Sequence, residues 1–110
     1  MVEIVWSEPA VADLDAIADF IALEDPAAAS ALVRRVVSHV EQLAAHPASG
    51  SRPPELPRHR YRQIVEPPCR VFYRYDDDRV LVLHVMRSQQ RLRRGRLAHR
   101  DEGTQCTKPR

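Results

Sequence analysis

Arginine is the residue type in this sequence whose number and grouping could do chemistry. Its planar guanidinium group binds phosphate or carboxylate oxygens through two parallel hydrogen bonds. The arginines are interleaved with His59, Tyr61, Tyr73 and His84, and cations beside aromatic and imidazole rings are typical of surfaces that bind RNA or DNA. The arginines concerned are Arg58, Arg60, Arg62, Arg70, Arg74, Arg87, Arg91, Arg93, Arg94 and Arg96. The pattern predicts a surface for an anionic partner.

The two halves of the chain carry opposite charge. The formal net charge of the 110 residues is only +2, yet residues 1–48 hold eight acidic and two basic residues. Residues 49–110 hold fifteen basic residues, fourteen of them arginine, against seven acidic residues. A GC-rich genome could account for the excess of arginine over lysine, but it does not account for the separation of charge. The second half is therefore predicted to face nucleic acid or an acidic protein segment.

Metal-dependent and covalent catalysis lack their usual motifs. The five histidines and two cysteines show no zinc-type spacing, and the three glycines form no phosphate-binding loop, so we expect neither a metal nor a cofactor. Cys69 lies beside Arg70 but is interpreted as a small strand residue rather than a nucleophile. The arginines could still support metal-free phosphodiester transfer, in which they stabilise the phosphate while a histidine or tyrosine moves protons. The alternative is that Arg62 and Arg74 are ordinary solvent-facing strand residues.

Two amphipathic helices are predicted near the start of the chain, after a short strand at residues 2–6. Ser7 is the expected N-cap of the first helix, which runs to about Leu23. Asp25 and Pro26 are expected as the N-cap and first residue of the second helix. Pro47 and Gly50 end it. The short link between the helices predicts an antiparallel helical hairpin.

Three strands are predicted after a proline-rich loop at residues 47–58. They cover residues 61–66, 70–75 and 80–87, and the turns between them are short. The last strand is apolar on both faces, so it is expected to be central in the sheet. The predicted order is β-α-α-β-β-β, an α+β fold in which the helical hairpin packs on one face of a mainly antiparallel sheet.

One domain is predicted, over residues 1–97. Residues 88–97 are expected to form a short basic helix or an arm, and residues 98–110 a polar, disordered tail. No apolar run is long enough for a membrane helix, and no signal peptide is expected. With only two cysteines, these features indicate a cytoplasmic protein.

Five segments together resemble RelE/ParE-type toxins of bacterial type II toxin–antitoxin pairs. They are I-V-W-S-E-P-A-V-A-D-L-D-A-I-A-D-F-I, D-P-A-A-A, Y-R-Q-I-V-E, P-C-R-V-F-Y-R-Y and V-L-V-L-H-V-M-R-S-Q-Q. The resemblance runs from Glu3 to about Leu92. It implies the same α+β fold, and it implies a cognate antitoxin whose C-terminal segment wraps the toxin in a hetero-oligomer.

The resemblance also implies one of two targets. RelE-like members cut mRNA on the ribosome without a metal, and on that reading Arg62, Arg70 and Arg87 are the catalytic candidates. ParE-like members inhibit DNA gyrase and are not known to need a catalytic centre. This chain has no lysine before Lys108 and no tyrosine or histidine in the S-Q-Q-R-L-R-R-G-R-L segment after Arg87. Arginine rarely gives up a proton, so a general acid or base is poorly supplied beside the candidate arginines. The ParE-like interpretation, which needs no catalytic centre, is therefore favoured.

The favoured hypothesis is thus a growth-inhibiting, plasmid-stabilising toxin that binds gyrase and that an antitoxin neutralises. A ribosome-dependent endoribonuclease is the alternative, and a decayed toxin that only binds its antitoxin is a third possibility. The residues expected to bind the target or another anion are Arg60, Arg62, Arg70, Arg74, Arg87 and Arg91.

Overall fold

The structure is a computed structural model that describes residues 1–57, 60–76 and 78–107, and side chains as far as Glu102. Arg58 and His59, both named above as candidate residues, lie outside the described residues, as does Lys108. The elements are β1 (Glu3–Trp6), α1 (Glu8–Ala22), α2 (Pro26–Glu41), a 3-10 turn (Gln42–Ala44), β2 (Tyr61–Glu66), β3 (Cys69–Tyr75), β4 (Arg79–Arg87) and α3 (Arg96–Thr107).

The four strands form one sheet in the order β1-β4-β3-β2. β1 runs parallel to β4, whereas the β2–β3 and β3–β4 pairs are antiparallel. The central position of β4 agrees with its apolar residues on both faces. The predicted α+β class and the mainly antiparallel sheet are confirmed.

The two N-terminal helices begin where the sequence predicts. Ser7 Oγ accepts a hydrogen bond from Ala10 N (3.2 Å), and Asp25 Oδ1 accepts one from Ala28 N (3.0 Å). These N-caps satisfy amide groups that the first turn of a helix leaves free. α1 and α2 pack as a hairpin on one face of the sheet, which we call the hairpin face. The buried residues of this layer include Leu14, Leu32, Val36, Val40, Val71, Tyr73, Val82 and Val85.

The opposite face of the sheet, which we call the α3 face, has its own apolar cluster. It contains Tyr61, Phe72, Leu81, Leu83, Met86, Leu92 and Leu97. Residues 98–110 were expected to be a disordered tail, and this expectation is wrong for residues 98–107, which belong to α3. The physical reason is that Leu97 is fully buried in this cluster, while Asp101 is only 2% exposed and accepts hydrogen bonds from the side chains of Arg60 and Tyr61.

A β-bulge in β4 changes which side chains share a face. Phe72 pairs with His84 and Tyr73 with Val82, so Leu83 has no partner on β3. Strict alternation predicts that Leu83 and Val85 share a face. Leu83 instead joins the α3 face, and Val85 joins the hairpin face.

None of the helices in the described residues is long and apolar enough to cross a membrane.

Candidate functional site

Arg70 is buried on the α3 face, in an ion pair with Glu55. Its Nη2 lies 2.8 Å from Glu55 Oε1 and 2.8 Å from Gln63 Oε1, and its Nη1 lies 3.1 Å from Glu55 Oε2. The guanidinium carbon lies 4.7 Å from the centre of the Phe72 ring. Arg70 was predicted to bind an anionic partner, but its guanidinium already has a carboxylate partner within the chain.

Glu55 connects the proline-rich loop to the rest of the site. Its Oε2 also accepts a hydrogen bond from Leu92 N (3.2 Å). The hydrogen bonds from Arg70 are the largest influence on its pKa and, despite partial burial, they lower it from 4.5 to about 2. The loop is therefore ordered by a charged residue that sequence analysis did not single out.

Arg74 and Arg60 both lie close to Asp101 of α3. Arg74 is 5% exposed; its Nε lies 3.4 Å from Asp101 Oδ2 and its Nη1 3.2 Å from Asp76 Oδ2. Arg60 Nη2 and Tyr61 Oη donate to Asp101 Oδ2 at 2.9 and 3.2 Å. Neither expectation for Arg74 holds, because it is neither solvent-facing nor open to a target. Its charge is balanced by buried or half-buried carboxylates.

Arg62 and Arg87 lie on the hairpin face, at opposite edges of the part that β2, β3 and β4 form. Arg62 Nη1 donates to the carbonyl oxygens of Ala48 (3.2 Å) and Gly50 (2.9 Å). The Arg87 guanidinium carbon lies 4.5 Å from the ring centre of Phe20, which is 60% exposed. Arg87 thus contributes to an exposed surface at the end of α1.

The structure does not bring the three candidate catalytic arginines together. Residues that face each other across neighbouring strands share a face, and Arg62 and Arg87 pair with Tyr73 and Cys69 of the hairpin-face core. Arg70 pairs with Met86, which belongs to the α3 face. The sheet therefore separates Arg70 from the other two.

Asp13 of α1 binds β4 just beyond the end of β1. Directly after β1, the backbone amide of Ser7 donates a hydrogen bond to the carbonyl oxygen of Val82 in β4 (3.0 Å). Further along the strand, Val85 N donates to Asp13 Oδ2 (3.0 Å). A side chain of α1 thus takes the place of a neighbouring strand.

Arg100 of α3 completes a buried cluster with Asp13 and His84. Its guanidinium pairs with both Asp13 oxygens and donates to the carbonyl of Leu83 (3.1 Å). His84 Nδ1 lies 2.8 Å from Asp13 Oδ2 and 2.9 Å from Arg100 Nη1. Burial alone raises the pKa of Asp13, but the hydrogen bonds from His84, Arg100 and the Val85 amide lower it to about 2. The arginine that His84 contacts is Arg100, which is not one of the predicted site residues.

The depressed pKa values predict a loss of stability in acid. A carboxyl group whose pKa is lower in the folded state stabilises that state above its unfolded pKa, and this contribution is lost as pH falls through the folded value. We expect Asp13 to contribute about 2 kcal/mol above pH 5 and nothing below pH 2. Urea unfolding between pH 7 and pH 2 measures this. Asp13→Asn flattens the profile, whereas Asp19→Asn, at an exposed position of α1, leaves it unchanged; equal effects of the two changes would contradict the assignment.

An open cavity of about 280 Å³ lies between α1, the end of β4 and the segment before α3. Asp13, His84 and Met86 line its inner side, and Arg91, Arg93 and Arg96 line its outer side. Arg91 is exposed, and its predicted binding of an anion remains a prediction. Three arginine side chains thus line the same cavity.

Cys69 and the possible metal ligands were the other candidates for chemistry in the sequence. Burial raises the pKa of the Cys69 thiol, and Cys69 is fully buried, so it lacks the features of a reactive thiolate. In the part of the chain that the structure describes, no group of three histidine, cysteine or acidic residues could hold a metal ion.

Comparison with known proteins decides the family. Residues 4–92 match the family described as the ParE toxin of the type II toxin–antitoxin system parDE. The chain belongs to the ParE toxin family. It is also 36% identical over 85 residues to the Sinorhizobium fredii protein named "Putative toxin Y4kP", covering 77% of this chain and 86% of that protein.

A solved ParE-type structure has the same fold. The match is to a chain of the chromosomal ParDE toxin–antitoxin system from P. aeruginosa, with a TM-score of 0.69 and 26% sequence identity. It covers 81% of this chain and 98% of that chain. The family match ends at residue 92, so α3 of this ParE toxin lies outside it.

Proposed function

We propose that this ParE toxin inhibits growth by binding DNA gyrase, and that a cognate antitoxin neutralises it by direct binding in the cytoplasm. The observation that carries the proposal is the separation of Arg70 from Arg62 and Arg87 by the sheet. A ribonuclease centre needs its charged groups and a proton donor or acceptor around one phosphate. Inhibition by binding needs only a complementary surface and no such centre.

The end of α1 supports a role in protein binding. Phe20 is 60% exposed and Leu23 is 81% exposed, and the guanidinium of Arg87 lies over the Phe20 ring. Exposed aromatic and arginine side chains are typical of residues that dominate the energy of protein interfaces. α3 packs on the opposite face of the sheet, so we propose that the antitoxin binds at Phe20 and Arg87.

The experiment is a comparison of gyrase and ribosome activity with the purified full-length chain. We expect inhibition of gyrase supercoiling, recovery of supercoiling when the antitoxin encoded beside the toxin is added, and intact mRNA on the ribosome. Phe20→Ala is expected to weaken antitoxin binding by about tenfold or more. Glu24→Ala, also exposed near the end of α1, serves as its matched control.

Other outcomes would replace the proposal. Site-specific cleavage of ribosome-bound mRNA would establish the endoribonuclease alternative. Harmless expression without the antitoxin, together with full supercoiling activity of gyrase, would establish a decayed toxin that serves only as a binding module.

A further inference from the structure

The cavity between α1, β4 and the segment before α3 contains unbalanced positive charge. Arg35, Arg60, Arg70, Arg74 and Arg100 each form an ion pair with a carboxylate. Among the residues that the structure describes, Arg91, Arg93 and Arg96 form none, although all three line the same cavity. Three arginines around one cavity attract an anion strongly, because they bring three charges and up to fifteen donors.

Asp13, the carboxylate that lines this cavity among the described residues, already has its own partners. Asp13 accepts hydrogen bonds from the Val85 amide and from Arg100, and it contacts His84. These contacts stabilise its charged form and, against the effect of burial, lower its pKa to about 2. Asp13 therefore leaves the three arginines free to bind a ligand.

Leu92 anchors the segment R-L-R at residues 91–93 beside the cavity. Leu92 is 4% exposed and packs in the α3-face cluster, and its amide is held by Glu55. On either side of this buried leucine, Arg91 and Arg93 are exposed and line the cavity. The anchored backbone fixes the two arginines as a pair.

Arg96 occupies a helix position that disfavours a cation. It is the first residue of α3, where the helix dipole is positive and favours acidic groups. No ion pair within the described residues offsets this cost. A bound anion would offset it.

We propose that this cavity binds a phosphate monoester of about the size of a mononucleotide. The phosphate lies among Arg91, Arg93 and Arg96, and the rest of the ligand packs against the apolar side formed by Ile17 and Met86. A phosphate monoester carries nearly two negative charges at pH 7 and matches the paired donors of arginine. The volume of about 280 Å³ is near the lower limit for small-molecule sites, which suits a single nucleotide rather than a larger cofactor.

The test is isothermal titration of the purified full-length chain with adenosine 5′-monophosphate, with adenosine and inorganic phosphate as companions. We expect the monophosphate to bind, inorganic phosphate to bind more weakly, and adenosine not to bind. The double change Arg93→Gln and Arg96→Gln is expected to weaken binding of the monophosphate by at least about tenfold.

Arg94→Gln is the matched control, because Arg94 lines a different cavity beside Leu56 and Ala98. An equal loss with Arg94→Gln would overturn the proposal in favour of unspecific attraction to positive charge. Binding of a glutamate-rich peptide without binding of the monophosphate would overturn it in favour of an acidic protein partner. A 5′-phosphorylated dinucleotide distinguishes the ligand's source: tighter binding than the free nucleotide indicates the end of a strand, and weaker binding indicates a free nucleotide.

Discussion

Replacing Asp101 with alanine is expected to lower the free energy of unfolding by about 3–5 kcal/mol. Asp101 is 2% exposed and its Oδ2 is the shared partner of Arg60, Tyr61 and Arg74. Without it, Asp76 is the charged partner that the described residues leave to the 5% exposed Arg74. Removal of one member of a buried ion pair leaves a charge that the interior solvates poorly, which makes the cost large.

Urea unfolding followed by circular dichroism measures the effect, and amide hydrogen exchange shows whether α3 detaches first. Glu102→Ala is the control, since Glu102 is the exposed neighbour in the same helix and should change stability by less than about 0.5 kcal/mol. Equal stability of the two variants would show that Asp101 does not hold α3 on the sheet.

Separate replacement of Arg70 by methionine and of Glu55 by leucine is expected to cost about 3 kcal/mol each. Arg70 is 7% exposed and forms two hydrogen bonds with each of Glu55 and Gln63. The double variant is expected to lose less than the sum of the single variants, by about 2–3 kcal/mol, because it buries neither charge alone. The double-mutant cycle, measured by urea unfolding, gives this coupling energy directly.

Arg94→Met is the control, because Arg94 is exposed and lines a cavity beside the loop that carries Glu55. This change should leave the free energy of unfolding nearly unchanged. A loss of toxicity in Arg70→Met is then expected to follow from unfolding. If Arg70→Met were as stable as the natural sequence and still harmless in cells, Arg70 would have to act on the target, which favours the endoribonuclease alternative.

Most of the fold could be predicted from local signals. Ser7 and the pair Asp25 and Pro26 mark the helix starts with side-chain chemistry that is independent of the rest of the chain. The central position of β4 follows from its apolar residues on both faces. The bulge at Leu83 could not be predicted, because an extra residue in a strand depends on the pairing with β3 and leaves no composition signal.

The candidate site was harder to predict because a sequence does not show which groups a charged side chain contacts in the folded protein. The sequence shows which half of the chain is rich in arginine, but a count of charges cannot show that Glu55 and Asp101 form ion pairs with Arg70 and Arg74. A usable signal was present in α3. Leu97, Arg100 and Asp101 have the i, i+3, i+4 spacing of one helix face after Gly95, but the polar composition of this segment outweighed it.

The side chains that bind β4 beyond Val82 also govern how separate copies of the chain behave in solution. Asp13 and Arg100 occupy its Val85 amide and Leu83 carbonyl, and Gln90 Oε1 accepts from the amide of Arg87 (3.2 Å). An exposed strand with free backbone groups invites edge-to-edge aggregation. Because these groups are occupied, a strand from another molecule finds no continuous ladder there, and the toxin is protected from polymerising through this edge.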